Sequence, residues 1–185
     1  MVRNDIKKEF GDYQTPGYFA VKVCNLLKDK LKISPAVVID PTCGVGNFLK
    51  AALNVFDNVK EAVGVEINKE YCGKCRERIR DPRLGVTHGN FFSYEVTKHL
   101  KDETLFIGNP PWAMNANLKF NLPQKVNFKG LSGTDALTGA SNFDICEYVI
   151  LKLIEGSIGK NVSIAMLCKT SVARNVLLEL DRNDV

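Results

Sequence analysis

Short β-branched runs alternate with amphipathic stretches along this chain, and that alternation constrains the fold more than any other feature. The runs fall at 36–40, 62–66, 85–88, 104–108 and 162–168. Between them, helical spacing predicts helices over 47–56, around 71–79, over 94–100 and over 142–154, with another beginning near Val172. A further helix over 17–31 precedes the first run, with Phe19, Val23, Leu26 and Leu27 on one face. In 142–154, Ile145, Val149 and Leu153 stack in the same way. Strands separated by helices pair in parallel, so the expected class is α/β. At 185 residues the chain is the size of one domain.

Composition excludes several alternatives. No apolar run approaches the roughly 18 residues that span a bilayer, and the polar start is unlike a secretory signal. A cytoplasmic protein without membrane partners is expected. The six cysteines are scattered, which favours reduced thiols. Cys72-x-x-Cys75 reads either as half of a metal or redox site or as two ordinary helix cysteines; a structural zinc site needs four ligands. The net charge of +4 permits nucleic acid binding without arguing for it. Between Asn115 and Thr134 the only charged residues are Lys119, Lys125 and Lys129, which suit either a DNA-facing segment or a solvated loop.

In open α/β sheets ligands bind beyond the carboxyl ends of the strands. Four polar or glycine-rich features fall there: Asp40 to Gly46, Glu66, Asn90 and Asn109. Gly44 and Gly46 let backbone approach a ligand, and the helix that follows presents free N–H groups. Glu66, twenty residues beyond Gly46, either accepts ribose hydroxyls or is a solvated strand end.

Asn109-Pro110-Pro111-Trp112 is more specific. The prolines hold the backbone extended and leave carbonyls as acceptors, and Trp112 offers a face on which a base can stack. An exocyclic amine on a base is a poor nucleophile because its lone pair is delocalised into the ring. The Asn109 side chain and the Pro110 carbonyl could each accept one N–H, localising that lone pair for attack on a methyl group. The bland reading is a proline-rich turn with a core tryptophan.

On these motifs the chain resembles the γ-type amino-methyltransferases of restriction-modification systems, within the class I methyltransferases. The resemblance implies a Rossmann-like core, a mostly parallel sheet with helices on both faces, and S-adenosylmethionine as methyl donor. It further implies methylation of adenine N6 in DNA. Asp12-Tyr13-Gln14-Thr15-Pro16 is similar to the family's N-terminal cofactor motif, with Thr15 and Pro16 at the methionine end of the donor. The segment from Asp40 to Phe48 resembles the first cofactor motif, with Asp40 near the methionine amino group and Pro41, Cys43, Gly44, Gly46 and Phe48 as cofactor-side candidates. Glu66, followed by Ile67, matches the ribose-binding acid, and Asn90-Phe91 stands where the family usually has Asp-Phe against the adenine. Asn109, Pro110, Pro111 and Trp112 match the catalytic motif. Phe143 and Asp144, in a segment resembling the fifth motif, and the three lysines are substrate-side candidates; Ser141 or Asn142 could equally be a helix N-cap.

The resemblance divides the single expected domain into an N-terminal motif and helix (1–34), a cofactor-binding half (35–108) and a catalytic half (109–185). Family members continue with further strands and a target-recognition domain, so the expected core is C-terminally truncated. DNA is the implied partner, with recognition supplied by a separate subunit or by self-association. Rival readings are methylation of cytosine N4, RNA guanine N2 or protein glutamine, a non-catalytic fragment of a split enzyme, and a dinucleotide-dependent oxidoreductase.

Overall fold

The computed structural model describes residues 14–112 and 144–182. These residues form α1 (Gly17–Asp29), β1 (Val37–Asp40), α2 (Asn47–Val55), β2 (Glu61–Glu66), α3 (Lys69–Arg78) and β3 (Leu84–His88). There follow β4 (Thr104–Gly108), α4 (Ile145–Ser157), β5 (Val162–Met166) and α5 (Thr170–Arg182). The five strands make one sheet in the order β3-β2-β1-β4-β5, every pair parallel. Of the described residues, two compact units emerge. One comprises Gln14–Asn109 and Ile154–Leu167 and holds the whole sheet; the other comprises residues from Pro110–Leu153 and Cys168–Val185.

Burial explains why the central strands are so apolar. Every residue of β1 and β4 is buried, while the edge strands β3 and β5 are half-buried or exposed. A parallel strand covered on both faces must be apolar throughout, which is why Val37-Val38-Ile39 and Leu105-Phe106-Ile107 show no alternation. Val38, Ala62, Leu105 and Ile107 join one cluster with residues of α1, α2 and α3. Each fully buried valine, leucine or isoleucine side chain among them contributes about 1.5–3 kcal/mol.

The buried face of α1 differs from the expected one. It is Ala20, Cys24 and Leu27, spaced i, i+4 and i+7, whereas Phe19 and Leu26 are exposed. Ala20 and Cys24 share the core cluster with Ala51 and Ala52 of α2. Small residues let two helices approach closely, so hydrophobicity alone misplaces Phe19 and Leu26, while Leu27 is buried and Val23 packs against the cluster as expected. The expected helix at 94–100 is only a 3-10 turn, Val96–His99, preceded by a turn anchored on Asn90. The fifth strand stops at Met166, two residues earlier than expected.

Candidate cofactor and catalytic site

Chain order runs outward from β1 to β2 and β3, then returns to β4 on the other side of β1. The carboxyl ends of β1 and β4 therefore lie side by side at the switch point, where open sheets bind ligands. This brings Asp40 next to Gly108, the residue before Asn109. A Cβ on Gly108 would lie 2.7 Å from Asp40 Oδ1.

The turn after β1 is held from three directions. Gly44 and Gly46 have φ of 55° and 82°, left-handed values that side chains disfavour. From β2, one Glu66 oxygen accepts the Gly44 amide at 2.8 Å, and the other accepts the Asn68 amide at 2.7 Å. From α3, Arg78 donates to the Asn47 Oδ1 at 3.0 Å, and Cys75 lies where a Gly46 Cβ would be. From the segment before α1, Gln14 Oε1 accepts the Val45 amide at 3.2 Å, and the Thr15 carbonyl accepts from Asn47 Nδ2 at 2.7 Å. The first cofactor motif and Thr15 are thus brought together.

Asp40 is buried, and Oδ1 accepts the Thr42 amide at 3.1 Å. Burial pushes its carboxyl up to about 8; the Thr42 amide opposes this, and the Glu66 charge adds to it. A hydrogen bond with Cys75, and then burial, push the Cys43 thiol up, while that same bond draws the Cys75 thiol down. Cys72 Sγ donates to the Glu66 carbonyl at 3.4 Å. Both cysteines of the Cys-x-x-Cys pair are therefore buried helix residues.

The donor set fits an adenosylated amino acid. Thr42 Oγ1 is buried in the turn with no hydrogen-bond partner among the described residues, a hydroxyl left for a ligand. An anionic carboxyl at Asp40 would suit an ammonium.

The remaining candidates differ in what they present. Ile67 and Trp112 are 56% and 42% exposed, large apolar faces open to solvent. Phe91 is buried, edge-on to Phe92 with centroids 6.0 Å apart. Asn90 Oδ1 accepts the Phe92 amide at 2.9 Å, so its carbonyl shapes the local turn. Pro41, Cys43 and Phe48 are buried, and the latter two belong to the core cluster. Pro16 precedes α1, its carbonyl accepting the Phe19 and Ala20 amides. Asn109 is half-buried, Pro110 buried and Pro111 half-buried.

In the second unit, Asp144 caps α4. Its Oδ1 accepts the Cys146 amide at 2.9 Å, and its Oδ2 accepts from Lys169 Nζ at 3.1 Å. Glu147, also buried, accepts from Asn175 Nδ2 at 2.9 Å. Phe143, Lys119, Lys125, Lys129, Ser141 and Asn142 lie outside the described residues.

Sequence reasoning missed Thr42, Asn47, Arg78, Gly108 and Lys169. Gly108 carried a signal, a glycine directly before Asn109 at a strand end. Arg78 and Lys169 carried none, because their partners are 31 and 25 residues away.

No protein-family model matches the chain. The type II methyltransferase M.NspV of a Nostoc species is 41% identical in an alignment of 181 positions that covers 92% of this chain and 38% of that relative. The chain thus spans well under half the length of the relative it matches. Among solved structures, a protein described as a class I S-adenosylmethionine-dependent methyltransferase from Listeria monocytogenes superposes with a TM-score of 0.58 at 15% identity. That match covers 93% of this chain and 53% of the other. One described as an RNA methyltransferase from Pyrococcus horikoshii gives 0.57 at 20% identity, covering 92% and 69%. Among the described residues, no helix is long and apolar enough to cross a membrane. With its parallel sheet, its β1 turn and these likenesses, the chain has the class I methyltransferase fold and resembles in sequence part of a type II methyltransferase.

Proposed function

We propose that this chain forms the S-adenosylmethionine-binding and catalytic core for methyl transfer to an exocyclic amine of DNA, the N6 of adenine. The observation that carries this reading is the adjacency of Asp40 and Gly108. The strand that delivers Asn109-Pro110-Pro111-Trp112 ends beside the glycine-rich turn. A methyl donor in that turn and an amine held at Asn109, the residue after Gly108, would be neighbours.

Asp40, Thr42, Gly44 and Gly46, with Thr15 and Pro16, would hold the amino acid end of the cofactor. Glu66 would take the ribose, and Ile67, Asn90 and Phe91 the adenine. When bound, S-adenosylmethionine supplies an electrophilic methyl group on a sulfonium. The Asn109 carbonyl and the Pro110 carbonyl each accept one N–H of the target amine, localising its lone pair. The carbon–sulfur electron pair would stay on sulfur while the same two dipoles stabilise the positive charge developing on that nitrogen; the proton that the nitrogen then sheds would pass to water, so no strong base is required. Trp112, already exposed, stacks on the extruded base. In the same reading Lys119, Lys125 and Lys129 would contact DNA phosphates, and Phe143 and Asp144 would serve the target base.

Calorimetry with S-adenosylmethionine and with NAD tests the cofactor. Binding of NAD alone would sink this reading. Transfer of labelled methyl groups to adenine-containing duplexes, to duplexes offering only cytosine, to RNA and to protein tests the acceptor. Label on adenine N6 is expected; label only on RNA or protein would overturn the DNA assignment.

A further inference from the structure

Gly108 is buried at the last position of β4, and its backbone is not left-handed. Its lack of a side chain therefore answers a need for space. A Cβ there would sit 2.7 Å from Asp40 Oδ1, 3.2 Å from Asp40 Cγ and 3.5 Å from Met166 Sδ. The first distance is below any real contact, so something must shift. Asp40 is poorly able to yield. Its side chain is short and buried, and the oxygen that would be struck is the one accepting the Thr42 amide at 3.1 Å. Displacing that oxygen releases the first residues of the turn, and displacing the backbone instead moves Asn109, the next residue along.

We infer that Gly108 is a positioning residue, whose missing side chain lets the buried Asp40 side chain pack against the end of β4 and so fixes the cofactor turn relative to Asn109. This rests on the function proposed above. Gly108 acts through Asp40, so its substitution should cost little once Asp40 is shortened.

The test is a double-mutant cycle in the full chain with G108A, D40A and the combined variant. Affinity for S-adenosylmethionine is read by calorimetry, unfolding temperature by circular dichroism, and the KM for DNA by methyl transfer. G108A is expected to weaken cofactor binding at least about tenfold while leaving the DNA KM within about twofold. In the D40A background the same substitution is expected to change cofactor affinity less than about twofold. Equal losses in both backgrounds, or no loss in either, would overturn the inference. If G108A does not fold, recovery of folding in the combined variant supports it, and continued unfolding overturns it. If the unsubstituted protein does not bind the cofactor, the proposed function fails. The cycle in unfolding temperature then decides the Gly108–Asp40 relation separately, coupling upholding it and additivity overturning it.

Discussion

Glu66 accepts the amide of Gly44 at 2.8 Å, so the acid that ends β2 holds the glycine-rich turn that follows β1. Its other oxygen holds Asn68, whose side chain in turn caps α3 by accepting the Glu70 and Tyr71 amides. Removing the carboxylate strands two amides. Glu66→Ala is therefore expected to lower the unfolding free energy by about 1.5–3 kcal/mol, the range for hydrogen bonds to a charged group. Glu66→Gln, which keeps one acceptor, should fall between. Urea denaturation of the three proteins measures this, and an unchanged midpoint in Glu66→Ala would refute the structural role.

Asp40 makes stability depend on pH with a definite sign. Its carboxyl is raised from 3.8 to about 8 by burial. Between these values the unfolded chain has lost the proton and the folded chain keeps it, so stability falls as pH rises through the window and levels off above about 8. Asp40→Asn should lack this decline. Its stability relative to the unsubstituted protein should grow from pH 5 to 8. A difference flat across that range would mean that Asp40 titrates as an ordinary carboxyl.

The same proton gives a binding signature. At neutral pH most Asp40 carboxyls are protonated in the free protein, and an ammonium placed beside the group favours ionisation. Uptake of S-adenosylmethionine near pH 7 is expected to release protons, visible as a calorimetric heat that varies with the ionisation enthalpy of the buffer. Asp40→Asn should bind without that variation.

Asn109 and Trp112 should separate chemistry from substrate binding. Asn109→Ala removes one acceptor of the target amine, so the methyl-transfer rate is expected to drop by roughly 100-fold or more. Cofactor affinity should stay within a few-fold. Trp112→Ala should weaken DNA binding by about 1–3 kcal/mol, roughly 5- to 150-fold, with Trp112→Phe much closer to the unsubstituted protein. Single-turnover kinetics and fluorescence anisotropy distinguish the two effects.

Asp144 and Lys169 test the cap of α4. Asp144→Ala removes both the cap and the ion pair and should cost more than about 1 kcal/mol. Asp144→Asn keeps the acceptor for the Cys146 amide and should resemble Lys169→Ala. Each of those two should cost about 0.5–1 kcal/mol, because the lysine is 40% exposed and its charge is screened. Thermal unfolding that ranked Lys169→Ala above Asp144→Ala would contradict this assignment.

Local pattern was enough to read the strands, because a buried parallel strand must be a short apolar run wherever it sits in the chain. The β1 and β4 runs, and the polar residues at their ends, were legible for that reason. The α1 stripe was not. Hydrophobicity ranks Phe19 and Leu26 above Ala20 and Cys24, but the distance between two helices decides which of them is buried. The same limit applies to the site. Spacing along the chain marked Asp40, Gly44, Glu66 and Asn109 as candidates, and composition alone could not show what each touches.

By itself, then, the sequence determined the α/β class, the strand ends that bear polar residues and the Asn-Pro-Pro-Trp motif, all of them local features of spacing and residue type. Only the tertiary structure decided that Glu66 holds Gly44, that Arg78 reaches Asn47, that Lys169 pairs with Asp144 and that Gly108 makes room for Asp40. Those relations depend on which strands become neighbours. Strand order is set by how the helices cover the sheet, and no local stretch of sequence encodes it.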